Sequence, residues 1–154
     1  MNVLAQALDT GDPLLLPERD KPYVLKNVFE KIADGCRDEI VLDFGDCCLR
    51  IGVDIDTDTL VIRFRSMPFR STKRWVSLRT SEPWKKCAGK ECGWTWLAVN
   101  QQGYLDTVLI SFDGIEPNIL LQAIASSIEV FTITPEKSAA VAKVGGNGRH
   151  KNHR

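Results

Sequence analysis

Two cysteines, Cys87 and Cys92, stand either side of a Lys/Gly loop in the stretch WKKCAGKECGWTW, residues 84–96, with Trp94 and Trp96 directly after them. Thiolates at short spacing can hold a metal ion or run thiol–disulfide exchange. A structural zinc site wants four Cys or His ligands, commonly as two close pairs. Cys87-x4-Cys92 supplies one loose pair, and Cys47-Cys48 on a strand would send its side chains to opposite faces. His150 and His153 lie near the C-terminal end. Thioredoxin-type exchange requires C-x-x-C at a helix start, and here the spacing is longer by two residues. The stretch is therefore expected to turn a corner, with Gly89 and Gly93 permitting the bend and Lys85, Lys86 and Lys90 keeping it solvated. No metal site and no cofactor is expected.

Carboxylates offer a second chemistry. Asp54, Asp56 and Asp58 alternate in DIDTDT as the first ligands of a calcium loop do, but the sixth position is Thr59 instead of Gly and the twelfth is Arg65 instead of Glu. A hairpin turn with exposed carboxylates accounts for them better. Glu39, Asp43 and Asp46 cluster locally, yet acids at ordinary pKa values are poor general acid–base catalysts. Neither G-x-S-x-G nor H-E-x-x-H occurs, and both histidines lie in the last few residues. The expectation is a protein that is not an enzyme.

The segment RFRSMPFRSTKRWVSLR carries the binding chemistry. Arg63, Arg65, Arg70, Lys73 and Arg74 interleave with Phe64, Phe69 and Trp75, a mixture that holds phosphates and stacks bases and that also forms protein hot spots. With Arg50 these give the candidate contact residues Arg50, Arg63, Arg65, Arg70, Lys73, Arg74 and Trp75.

The net charge of zero conceals a segregation. Residues 30–58 hold nine acids against three bases, net −6, whereas residues 63–90 hold nine bases against one acid, net +8. Such asymmetry marks a binding face, unless the blocks lie side by side and neutralise each other. With 154 residues, 44% hydrophobic and 26% charged, the chain has the balance of a soluble globular domain. The first sixteen residues lack a secretory h-region, no apolar run reaches the roughly 18 residues of a membrane span, and five cysteines is an odd number for a disulfide framework. A cytoplasmic location and no membrane association are expected.

The elements that must position these residues are mostly strands. In EIVLDFGDCCLRIGVDIDTDTLVIRFR, residues 39–65, apolar residues alternate at Ile40, Leu42 and Phe44, at Leu49, Ile51, Val53 and Ile55, and at Leu60, Ile62 and Phe64. A turn at Gly45-Asp46 pairs Leu42 with Leu49 and Ile40 with Ile51. A second turn centred between Thr57 and Asp58 pairs Ile55 with Leu60, Val53 with Ile62 and Ile51 with Phe64. All apolar positions then share one face of a three-stranded meander. The other face bears Arg50 directly opposite Arg65, with Asp43 and Asp54 at diagonal positions, and Gly52 suggests a bulge or a close approach.

A second hairpin runs through GWTWLAVNQQGYLDTVLISF. With its turn centred on Gln102, Trp96 meets Val108 and Trp94 meets Ile110, which makes both indoles core residues. Val24–Ala33 suits either a helix or a strand. Pro117 at a helix N1 position suggests a short helix over Asn118–Ser126, with a strand as the alternative, followed by a strand at Ile128–Ile133. The fold expected is α+β, mainly β: an antiparallel sheet or partly open barrel of about six to seven strands with one or two short helices. Residues 1–22, with three prolines in DPLLLPERDKP, form an irregular N-terminal segment, residues 23–134 a single globular domain, and residues 135–154 a disordered basic tail.

A small, neutral, β-rich chain with patches of both signs is similar in general form to bacterial immunity and inhibitor proteins, although no residue is carried over from them. The function expected is that of a non-enzymatic binding or regulatory protein acting on a macromolecular partner, most simply another protein, through the basic aromatic-flanked surface. The alternatives are a nucleic-acid-associated accessory protein and an enzyme with an unfamiliar site.

Overall fold

The computed structural model describes residues 16–134. Two antiparallel sheets share one core. The first has the order β4-β3-β2-β1-β5 and the second β6-β7-β8-β9. Their ranges are β1 Asn27–Ala33, β2 Cys36–Asp43, β3 Cys48–Asp54, β4 Thr59–Arg65, β5 Val76–Ser77, β6 Cys92–Val99, β7 Leu105–Phe112, β8 Ile119–Ile124 and β9 Ser127–Thr132, with one helical turn, α1, at Trp84–Cys87. The mainly β expectation holds. The single sheet or barrel is corrected to two sheets, because the chain leaves the first after β5 and starts a separate hairpin at β6. No described helix is long and apolar enough to cross a membrane. The basic tail expected from residue 135 lies outside the described residues.

Val24–Ala33, open between helix and strand, contains β1. Asp34 and Gly35 both take positive φ, 51° and 78°, so a two-residue turn returns the chain into β2 with Ala33 opposite Cys36. The β2–β3 register is the expected one, Leu42 facing Leu49 and Ile40 facing Ile51. Between β3 and β4 the register differs by two residues, with Ile51 facing Ile62, Val53 facing Leu60 and Leu49 facing Phe64. The physical reason is a turn of the same length centred one residue earlier than expected, between Asp56 and Thr57. The Asp54 carboxylate accepts the Asp56 amide (3.0 Å), and Asp58 at φ 51° accepts the Ser126 amide (2.6 Å). Ile55, expected in the core, consequently sits in the turn, 65% exposed. A shift of two keeps every side chain on its original face, so Ile40, Leu42, Leu49, Ile51 and Leu60 are all buried in the shared core. Gly52 pairs regularly with Glu39 and Val61, and a Cβ built there would meet nothing closer than 3.7 Å, so neither bulge nor close approach exists at that position.

The second sheet departs further from expectation. Asn118–Ser126, where a helix was expected, holds strand β8 and the turn after it at Ala125 and Ser126: Ile119, Leu121 and Ala123 alternate inward, and the Asn118 side chain both accepts the Phe112 amide (2.9 Å) and donates to the Phe112 carbonyl (3.0 Å). That amide closes the β7–β8 turn where a helix start was expected. In β6 the register shifts between Cys92 and Thr95 and again between Ala98 and Val99, so Thr95 faces Ile110, Leu97 faces Val108 and Trp96 faces Leu109. Trp94 and Trp96 are thereby turned outward, 54% and 36% exposed, which corrects their assignment to the core. The bulge forms at Gly93, where a Cβ would lie 2.6 Å from the Gly114 carbonyl oxygen. The Ser111 hydroxyl donates to that same oxygen (2.8 Å) and accepts the Trp94 amide (2.6 Å).

Between the sheets the cysteine stretch does turn a corner. After α1, Gly89 at φ 83° lets the chain pair with the segment before β1: the Gly89 amide donates to Leu25, the Leu25 amide to Lys90 and the Cys92 amide to Tyr23. At the opposite corner Arg37 of β2 donates from its guanidinium to the Ile128 carbonyl (2.8 Å) and from Nε to Glu30 (2.7 Å), tying the two sheets together.

Candidate functional site

The strand order decides what becomes of the basic segment. β4 forms one edge of the first sheet and β5 the other, so residues 66–75 must cross β3, β2 and β1, a span of roughly 19 Å at ordinary strand spacing. They cross on the face turned away from the shared core. Phe69 packs on Phe29 of β1 with ring centroids 5.0 Å apart, and Trp75 meets Phe69 edge-on at 5.0 Å. Beneath this roof Val41 and Cys48 are buried although they stand apart from the main core. The loop thus has a small apolar anchor of its own.

The candidate residues fall around this loop. Arg50 stands opposite Arg63, and Arg65 opposite Cys48, correcting the expected Arg50–Arg65 pair; the earlier centre of the β3–β4 turn is the cause. Arg50 does not turn to Asp43 or Asp54. It is joined through Nε to Glu39 at 2.6 Å, and its guanidinium lies 5.7 Å above the Trp75 ring. That hydrogen bond to Glu39 holds Arg50 still more firmly charged. Arg50, Arg65 and Arg70 converge on one cavity of about 640 Å³, floored by Cys48 and walled by Met67, Pro68 and Phe69. Arg63 lines a neighbouring hollow of about 310 Å³ with Asp38, Glu39 and Gly52. Lys73 and Arg74 are exposed on the loop outside both. Trp75, half-buried, belongs to the anchor.

The two charge blocks do not neutralise one another. Among the described residues no carboxylate lies within 4.0 Å of the cationic groups of Arg63, Arg65, Arg70, Lys73 or Arg74. The ion pairs of the basic block join Lys86 to Glu82 and Lys90 to Asp113, neither of them an acid of the 30–58 block. Six of the nine acids of that block are engaged by groups outside the basic block. Glu30, Asp38 and Glu39 pair with Arg37, Lys31 and Arg50 on the same sheet, and Asp43, Asp54 and Asp58 accept turn amides.

Glu39, Asp43 and Asp46 do not meet. Glu39 serves Arg50 and Asp43 the Gly45 amide, while Asp46 accepts two hydrogen bonds from Arg19, which hold its pKa below the usual value. The same guanidinium donates to the Lys21 and Pro22 carbonyls and stacks 3.8 Å over the Tyr23 ring. This clamp pins an otherwise irregular segment, and no local pattern around Arg19 signalled it. Cys87 and Cys92 are buried in the core, and burial pushes their thiols up to about 11 and about 12. Protonated, apolar thiols are poor nucleophiles.

Sequence reasoning also missed the outer face of the second sheet. Trp96, Leu109, Leu120 and Phe131 follow one another across all four strands as direct cross-strand neighbours. Only the β6 bulge brings Trp96 into that row.

Residues 21–137 match the model of a family of unknown function, DUF6334. The chain belongs to that family. The matched region contains both sheets, the aromatic anchor and the whole basic loop, whereas Arg19 of the N-terminal clamp falls just before it. No curated protein and no solved structure matches the chain.

Proposed function

We propose that this is a non-enzymatic, cytoplasmic binding or regulatory protein that engages an acidic surface of a protein partner through the loop 66–75 and the strand arginines beside it. The observation that carries this reading is the set of five cations, Arg63, Arg65, Arg70, Lys73 and Arg74, without a carboxylate in ion-pair reach among the described residues. Unpaired like charges held close together repel, and they are tolerated where an anionic partner offsets the repulsion or water screens it. Phe69 and Trp75 anchor the loop, which lowers the ordering cost of binding.

A nucleic-acid reading draws on the same cations. It is less well supported, because holding a strand stacks successive bases on several open aromatic faces, whereas Phe29, Phe69 and Trp75 are packed on one another and only Phe69 lines the cavity. Affinity capture with the full chain, with and without nuclease, separates the two. A partner retained after nuclease, and lost when Arg65, Arg70, Lys73 and Arg74 are all changed to Glu, supports protein binding. A partner lost with nuclease supports nucleic acid, and one indifferent to the charge reversal overturns the assignment of the surface.

A further inference from the structure

We propose that the cavity beneath the basic loop is a binding pocket for a phosphate monoester carried on a flat apolar stem. The inference rests on the reading of the loop as a contact surface and names the group it takes. Its basis is a local charge count. Three guanidinium groups, those of Arg50, Arg65 and Arg70, line the cavity, and none of its lining residues is acidic. Arg50 is balanced by Glu39 through Nε, which leaves its Nη groups free to donate. Arg65 and Arg70 have no carboxylate in reach among the described residues, so the cavity carries two positive charges in excess.

A carboxylate would offset one of these and leave the other. A phosphate monoester, at about −1.5 to −2 near neutral pH, offsets both and offers three acceptor oxygens to the guanidinium forks. The remaining wall is apolar. Met67, Pro68 and Phe69 would lie along a stem, and Phe69 is held in place by Phe29 and Trp75 instead of being free to collapse into the space. At about 640 Å³ the cavity is of the size that takes a small organic ligand.

Phenyl phosphate is the direct probe, titrated calorimetrically into the full chain at low ionic strength, with benzoate as the monoanionic comparison. Saturable binding of phenyl phosphate, tighter than benzoate by about tenfold or more, is expected. Changing Arg65 and Arg70 together to Gln should abolish it, and changing Lys73 and Arg74 together to Gln should alter it by about twofold at most, since these two lie outside the cavity. All four side chains are exposed, so both variants keep the fold. A peptide containing phosphotyrosine separates the sources of the group. Binding well above that of phenyl phosphate assigns it to a modified protein side chain, and equal binding to a free small molecule. Failure to saturate, equal affinity for benzoate, or equal losses in the two double variants would overturn the pocket. If the charge-reversed loop still loses a nuclease-resistant partner in that event, the contact surface stands without it.

Discussion

Replacing Gly93 by Ala and, separately, Gly52 by Ala makes the same chemical change in two strands and should give opposite results. At Gly93 the added methyl lies 2.6 Å from the Gly114 carbonyl oxygen and 3.1 Å from the Ser111 hydroxyl. An ordinary carbon–oxygen contact is about 3.4 Å, so the backbone must yield by roughly 0.8 Å. Neither neighbour is free to do so, because the Ser111 hydroxyl bonds both the Gly114 carbonyl and the Trp94 amide. Forced overpacking of this kind costs about 1–3 kcal/mol. At Gly52 the nearest atoms are backbone oxygens at 3.7 and 3.9 Å, ordinary contacts. With no clash, the smaller entropy of the unfolded Ala chain should stabilise by about 0.4–1 kcal/mol. Urea denaturation followed by circular dichroism reads both, and the two midpoints should separate by roughly 1 M, given slopes of about 1–3 kcal/mol/M. If Gly93→Ala leaves the midpoint at the wild-type value, the bulge is not where it is described, and the outward orientation of Trp94 and Trp96 fails with it.

Phe69→Ala removes two aromatic contacts worth about 0.5–1.5 kcal/mol each, so a loss of roughly 1–3 kcal/mol is expected, with faster amide exchange confined to residues 66–75; unchanged exchange there would refute the anchor. Iodide should quench the emission of Trp94 and Trp96 but not of Trp84, which is buried, and single Trp→Phe variants assign each contribution. Iodoacetamide at pH 8 should modify half-exposed Cys36 well before Cys87 or Cys92, as peptide mass spectrometry would show. The raised thiols also make stability depend on pH. Below the unfolded thiol pKa of about 8.5 their contribution is complete, and it is lost as pH rises towards the folded values of about 11 for Cys87 and about 12 for Cys92, so urea midpoints should fall between pH 8.5 and pH 11.

The meander was legible from residues 39–65 because alternation with a period of two reports which face each side chain occupies. Even the misjudged β3–β4 turn left those faces intact, since the error was two residues. An odd slip is not forgiven. In β6 a single extra residue at Gly93 turned both tryptophans from core to surface, and nothing in GWTWLAV distinguishes a bulged strand from a regular one. Asn118 misled for a related reason. Pro117 before an apolar run is a fair helix start, and the side chain that closes the β7–β8 turn bonds to Phe112, outside the apolar run from which the helix was read.

Of the six cationic candidate contact residues, five have no acidic partner within reach among the described residues. What the linear chain settled by itself was the side of the meander on which the arginines emerge, because pleat and parity are local properties of the backbone. That residues 66–75 roof those arginines, and that Arg50, Arg65 and Arg70 enclose a single cavity, was decided only when β5 paired with β1 on the far edge of the sheet. Pairing of that kind depends on backbone hydrogen bonds between segments almost fifty residues apart, which any two strands can make, and the choice among them belongs to the packing of the whole.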